Sequence, residues 1–189
     1  MIKTNTGSTP RPEKITKLEG AERLLKTSIH LFFEEKDMLP IHALVAGAHE
    51  VLRTLLAIKM KRRGSFIKDT DAIRPEFIKR WNSMMNRTQI FLKHADNDTD
   101  EILTFSKATT PFWILDSVLM HKQLTGSFGH RAFFVFFAWF ARENPDVLSE
   151  GALADLMNRS DVPFSKKDAR DFIENPELLG PHPTFKNFL

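Results

Sequence analysis

The chain has no cysteine. That excludes a disulfide framework, a thiolate zinc site and a cysteine nucleophile, and it fits a reducing compartment. The opening residues, Met1-Ile2-Lys3-Thr4-Asn5, lack the apolar stretch of a secretory signal, so the expected location is the cytoplasm. Long apolar runs are missing too. The longest, Ala132 to Ala141, falls well short of the roughly 20 residues that cross a bilayer, and no membrane partner is expected. Net charge is small: 27 Lys and Arg against 24 Asp and Glu leave +3. There is no internal repeat or low-complexity tract. A length of 189 residues suits one domain that buries its own core without a metal or disulfide.

What is present is helical periodicity. Leu18, Ala21, Leu25, Ile29 and Phe32 recur three or four apart in a pattern that starts at Glu13 and ends near Asp37. After a short link through Leu39-Pro40, Ile41, Leu44, Val45, Ala48, Leu52, Leu55 and Leu56 form the face of a second helix, stopped by Gly64. Pro75 suits the first turn of a third helix, with Phe77, Trp81, Met84, Thr88, Phe91 and Ala95 as its inward stripe. Ile102 to Phe105 reads as a short extended piece. Thr110-Pro111 caps and opens a fourth helix through about Gln123.

A fifth helix, Arg131 to Phe140, is apolar nearly all round, so it is either central or covers a partner. Short helices are expected from Ser149 and from Ser165, where Asp168 completes a capping box. The prediction is all-α: a bundle of four to five main helices plus short C-terminal helices. It forms a single domain over 13–175, with tails at 1–12 and 176–189. A homodimer is the simplest cover for exposed aromatic area on Phe133 to Phe140.

Candidate chemistry gathers on the second and third helices. His42 and His49, seven apart, and Arg53 one turn on lie at the border of the apolar face, where imidazoles line clefts and titrate near neutrality. A local packing role explains each of them equally well. Lys59, Lys61, Arg62, Arg63 and Lys68 could meet phosphate, or simply complement a helix C-terminus. His30 and Glu34 have i,i+4 spacing and need no further role. His121, His130 and His182 have no convergent neighbours in the sequence.

Two readings involve metal. Asp96, Asp98 and Asp100 open like a calcium loop, but Glu101 replaces the turn glycine and Lys107 the bidentate glutamate, which argues against that loop and leaves the segment as a solvated loop or a helix cap. His42, His49 and His94 with Asp96, Asp98 or Glu50 would suit a transition metal if the second and third helices pack side by side.

Arg87 and His94 lie two turns apart on one flank of the third helix, about 10 Å along its axis. An arginine there could hold charge on phosphoryl oxygens while a histidine moves a proton, and neither step needs a metal. The pair resembles the Arg-x(4–6)-His motif of the HEPN superfamily, all-helical proteins that include dimeric, metal-independent RNases. That resemblance implies RNA or another phosphate-bearing ligand, a composite site in a dimer, and no cofactor. Thr88 stands where the family usually has a larger polar residue, and the helix comes earlier than the family's.

Glu19 to about Asp98 also resembles a group of small, uncharacterised bacterial all-helical proteins. The matching stretches are Ile41-His42-Ala43-Leu44, Ala48-His49-Glu50 and Lys93-His94-Ala95-Asp96-Asn97-Asp98. Three functions therefore stand as expectations. The first is RNA phosphodiester cleavage or nucleotide-related binding through Arg87, His94 and His49. The others are a non-enzymatic interaction protein and a metal-dependent enzyme.

Overall fold

Thr16 begins the first helix with a reciprocal cap. Its hydroxyl accepts the Glu19 N–H at 3.2 Å, and the Glu19 carboxylate accepts the Thr16 N–H at 2.7 Å. The computed structural model describes residues 12–61, 63–70, 73–94, 96, 99–147, 165–175 and 177. The expected tails and the helix expected from Ser149 lie almost wholly outside these residues.

Helix α1 spans Lys17–Phe33 and stops short of Asp37, because Glu35 turns the chain at φ 57° and Asp37 caps the next helix. Pro40 is no linker. It sits in the first turn of α2, Met38–Met60, where backbone N–H groups have no helical partner in any case. Lys61, in the left-handed region at φ 50°, ends α2, so Gly64 is not its stop. Gly64 serves packing instead, since a Cβ there would run into the Leu56 side chain.

A 3-10 turn at Pro75–Phe77 leads into α3, Ile78–Lys93, and another at Lys107–Thr109 leads into α4, Thr110–Thr125. Helix α5 spans Arg131–Glu143. Helix α6, Lys166–Glu174, opens with the expected Ser165/Asp168 capping box. Among the described residues there are six α-helices and no strand, so the bundle is all-helical, and Ile102 to Phe105 has no regular structure.

The core lies where α2 packs between α1 and α4, with α5 laid against α1 and α4 and α6 against α5 and α1. By length and composition α2 could cross a membrane, but it is the central element of this bundle, with Ile41, Val45, Leu52 and Leu56 buried. Every residue from Ala132 to Ala141 on α5 is buried within the one chain. Phe136 and Trp139 meet Phe32 at 5.5 and 5.0 Å between ring centres, both edge-on. The α5 aromatic surface is therefore spent internally, and it gives no reason for a second copy.

Helix α3 is the outlier. It meets α2 only slightly and has no buried residue, so the second and third helices do not lie side by side as expected.

Candidate functional site

Helix α3 carries four cations, Lys79, Arg80, Arg87 and Lys93, all exposed, and no acidic residue. Just before it, the exposed Arg74 guanidinium sits 4.8 Å from the centre of the Phe77 ring. Arg74, Phe77, Arg80, Trp81 and Met84 with Ile73 line a groove of about 370 Å³. Phe77 and Met84, expected on the inward stripe, are 43% and 53% exposed. Trp81, Thr88 and Phe91 are half-buried, and Ala95 lies outside the described residues. The stripe is only half covered because α3 has so little helix beneath it.

Arg87 and His94 are both exposed on α3. Arg87 lies 3.6 Å from Glu101. His94 ends the helix, its N–H donating to Ile90 O at 3.0 Å, with exposed Asp96 and Asp100 following.

His49 belongs to a different environment. Its side chain and that of Asp116 have no exposed surface, and Nε2 donates to Asp116 Oδ2 at 2.9 Å. The same oxygen accepts the Ser65 hydroxyl at 2.6 Å and the Ile67 N–H at 3.3 Å, while Oδ1 accepts the Phe66 N–H at 3.0 Å. Ser65 Oγ lies 3.2 Å from His49 Nε2 and accepts the Lys68 N–H at 2.9 Å.

Ser, His and Asp together suggest a nucleophilic triad, but the connectivity is wrong for one. A catalytic histidine bonds serine through one nitrogen and the carboxylate through the other. Here Nε2 faces both, and Nδ1 is buried without a partner. The cluster instead ties the 65–68 turn to α2 and α4, by satisfying a carboxyl group that would be costly to bury alone. His49 is thus sealed in packing while His94 and Arg87 face solvent.

The remaining polar side chains expected on α2 are also accounted for. Arg53 grips Asp69 with Nε at 3.1 Å and Nη2 at 2.6 Å. Burial pushes the Asp69 carboxyl up, but the Arg53 hydrogen bond and charge outweigh it and hold it below the usual range. Lys68 leaves the expected basic patch: it is buried, with Nζ donating to Glu50 at 2.9 Å and lying 5.2 Å from the Trp113 ring centre.

His42, 2% exposed, has Nδ1 3.2 Å from Thr110 Oγ1. Burial, helped by nearby His49, pushes its pKa down to about 4, so the ring is neutral at pH 7. It borders a crevice of about 130 Å³ beneath α3, lined also by Met85, Arg87, Thr88, Phe105 and Trp113.

Sequence reasoning missed the second histidine cluster. His121 Nε2 lies 2.8 Å from Glu22 Oε1, and His130 Nε2 lies 3.7 Å from Glu22 Oε2. The partners are 99 residues apart for His121, a separation that local spacing does not register. Asp116 was missed as well, although a lone carboxyl group in Trp113-Ile114-Leu115-Asp116-Ser117-Val118 demands buried partners.

Among the described residues no group of three His, Asp or Glu side chains is arranged to hold a metal ion. The metal set expected from His42, His49 and His94 is dispersed: His42 is engaged with Thr110, His49 with Asp116, and Glu50 with Lys68. Comparison with protein families, with curated proteins and with solved structures finds no match for this chain.

Proposed function

We propose that this chain is a non-enzymatic RNA-binding protein whose contact surface is the N-terminal part of α3 with the residues leading into it. The observation that supports it is the groove in which Arg74 and Arg80 flank partly exposed Phe77 and Met84. Single-stranded nucleic acid is held by cations that track phosphates and aromatic faces that stack bases. Lys79 extends the cationic surface along the same helix, whereas Arg87 is engaged by Glu101 at 3.6 Å. Binding is favoured over cleavage because the histidines a cleavage site would draw on are held apart: His49 is sealed against Asp116, while His94 is exposed at the end of α3.

The test is fluorescence anisotropy of a labelled single-stranded RNA across a salt series. The expected slope of log K against log salt is about −2 to −3, from three or four phosphate contacts. Arg74→Glu with Arg80→Glu weakens binding more than tenfold, whereas Lys26→Glu, exposed on α1, leaves it nearly unchanged. Binding insensitive to salt and to the double variant overturns the proposal. Unlabelled RNA incubated in chelator is the companion measurement. Cleavage that disappears in His94→Ala restores the catalytic reading of Arg87 and His94.

A further inference from the structure

Under α3, meeting the exposed groove only at Met84, the crevice bordered by His42 has the makings of a second binding site. Its walls include the Phe105 and Trp113 rings, which meet the His42 ring edge-on at 5.5 and 5.3 Å between centres. Met85 from α3 completes an aromatic and thioether lining that adapts to a flat guest. Thr88 and Ser106 also line the crevice. His42 Nε2, the nitrogen not facing Thr110, is buried with no hydrogen-bond partner. Such an atom costs about 1–3 kcal/mol unless something supplies its bond. Beside this crevice a second, apolar cavity of about 260 Å³ runs along Phe66, Ile67 and Phe112 and shares Met85, Thr109 and Trp113 with it.

The charges around the crevice decide what kind of guest fits. Arg87 is the one ionised side chain among the lining residues, and it is exposed and 3.6 Å from Glu101. An anion would have to displace Glu101, and a cation would meet Arg87. The one buried polar side chain in the lining is the neutral His42 imidazole, with half-buried Thr88 and exposed Ser106 nearer the mouth, a set that suits an uncharged hydrogen-bonding edge.

We infer that the crevice between α3, Phe105 and Trp113 binds an uncharged planar heteroaromatic ring of the nucleobase class, its polar edge bonded to His42 Nε2. The inference does not rest on RNA binding by the outer groove. The ring is either a free base or one carried by RNA, and the two sources separate experimentally.

The test is calorimetry and thermal denaturation with adenine, hypoxanthine, cytosine and uracil at up to millimolar concentration. At least one base is expected to bind and to raise Tm. His42→Phe keeps a ring in place but removes the nitrogen, and weakens that base at least tenfold. Thr88→Trp, on the half-buried face of α3, fills the crevice without disturbing the core and abolishes binding. It therefore decides the matter even if His42→Phe folds poorly. If Thr88→Trp also weakens RNA binding, the ring is carried by RNA; if RNA binding is unchanged, the ring is free. Arg74→Glu with Arg80→Glu leaves base binding intact, so loss of the outer-groove reading does not mimic loss of this one. No binding by any base, or binding that survives in both crevice variants, overturns the inference.

Discussion

His49 Nε2 lies 2.9 Å from Asp116 Oδ2 in a place where neither side chain has any exposed surface. The contact joins α2 to α4 and brings the Ser65 turn with it. Removing the carboxyl group strands His49, Ser65 and two backbone N–H groups together. Asp116→Ala is therefore expected to cost about 3–5 kcal/mol in urea denaturation, and Ser65→Ala about 1–3 kcal/mol. A loss below about 1 kcal/mol for Asp116→Ala would show that the cluster is not a structural tie.

The depressed pKa of His42 has a direct consequence for acid stability. In the unfolded chain the imidazole takes up a proton near pH 6.5, whereas in the folded chain it does so only near about 4. Between those values the unfolded state holds the extra proton, so stability falls as pH drops from 6.5 toward 4. At about 1.4 kcal/mol per unit the full loss is about 3 kcal/mol. His121, held low by burial against the opposing pull of Glu22, acts in the same direction. His42→Phe should therefore flatten the pH dependence without removing it. Identical pH profiles for wild type and variant would contradict this.

Two glycines between α4 and α5 separate backbone strain from steric clash. Gly126 has φ 86° with nothing near its missing Cβ, while Gly129 has φ 70° and a Cβ there would lie 2.9 Å from His121 Cε1. Gly126→Ala is expected to cost about 1 kcal/mol from the left-handed backbone alone. Gly129→Ala should cost measurably more, since the buried His121 ring must move. Equal thermal shifts for the two variants would rule out the clash.

Position in the bundle sets the outcome of phenylalanine truncation. Phe136→Ala on α5 removes a fully buried ring and is expected to cost about 3–5 kcal/mol. Phe77→Ala, at the start of α3, should change stability by no more than about 0.5 kcal/mol while weakening RNA binding. Large destabilisation by Phe77→Ala would mean that α3 belongs to the core after all.

The elements legible in the sequence are those whose burial is decided by their own composition. Ala132 to Ala141 contains nothing that prefers water, and the Leu25, Ile29, Phe32 stripe leaves little choice of face. Ser165 and Asp168 are equally direct, because a capping box is a contact between near neighbours. Helix α3 misleads because Phe77, Trp81, Met84 and Phe91 have helical spacing, yet spacing does not report whether a second layer exists to receive them. Long-range polar contacts were out of reach for a similar reason. Asp116 finds Ser65 across 51 residues of chain, and the border position of His49 on its helix says only that it is near an edge.

Ile67 receives the Trp81 indole N–H on its carbonyl at 2.6 Å, while its own N–H is bound by Asp116. One residue is thus moored to the interior and also ties Trp81 of α3 to the bundle. With no fully buried residue of its own, α3 has less packing to lose on opening than α2 or α5. Amide exchange should register α3 as the first helix to open, ahead of any loosening in α2 or α5.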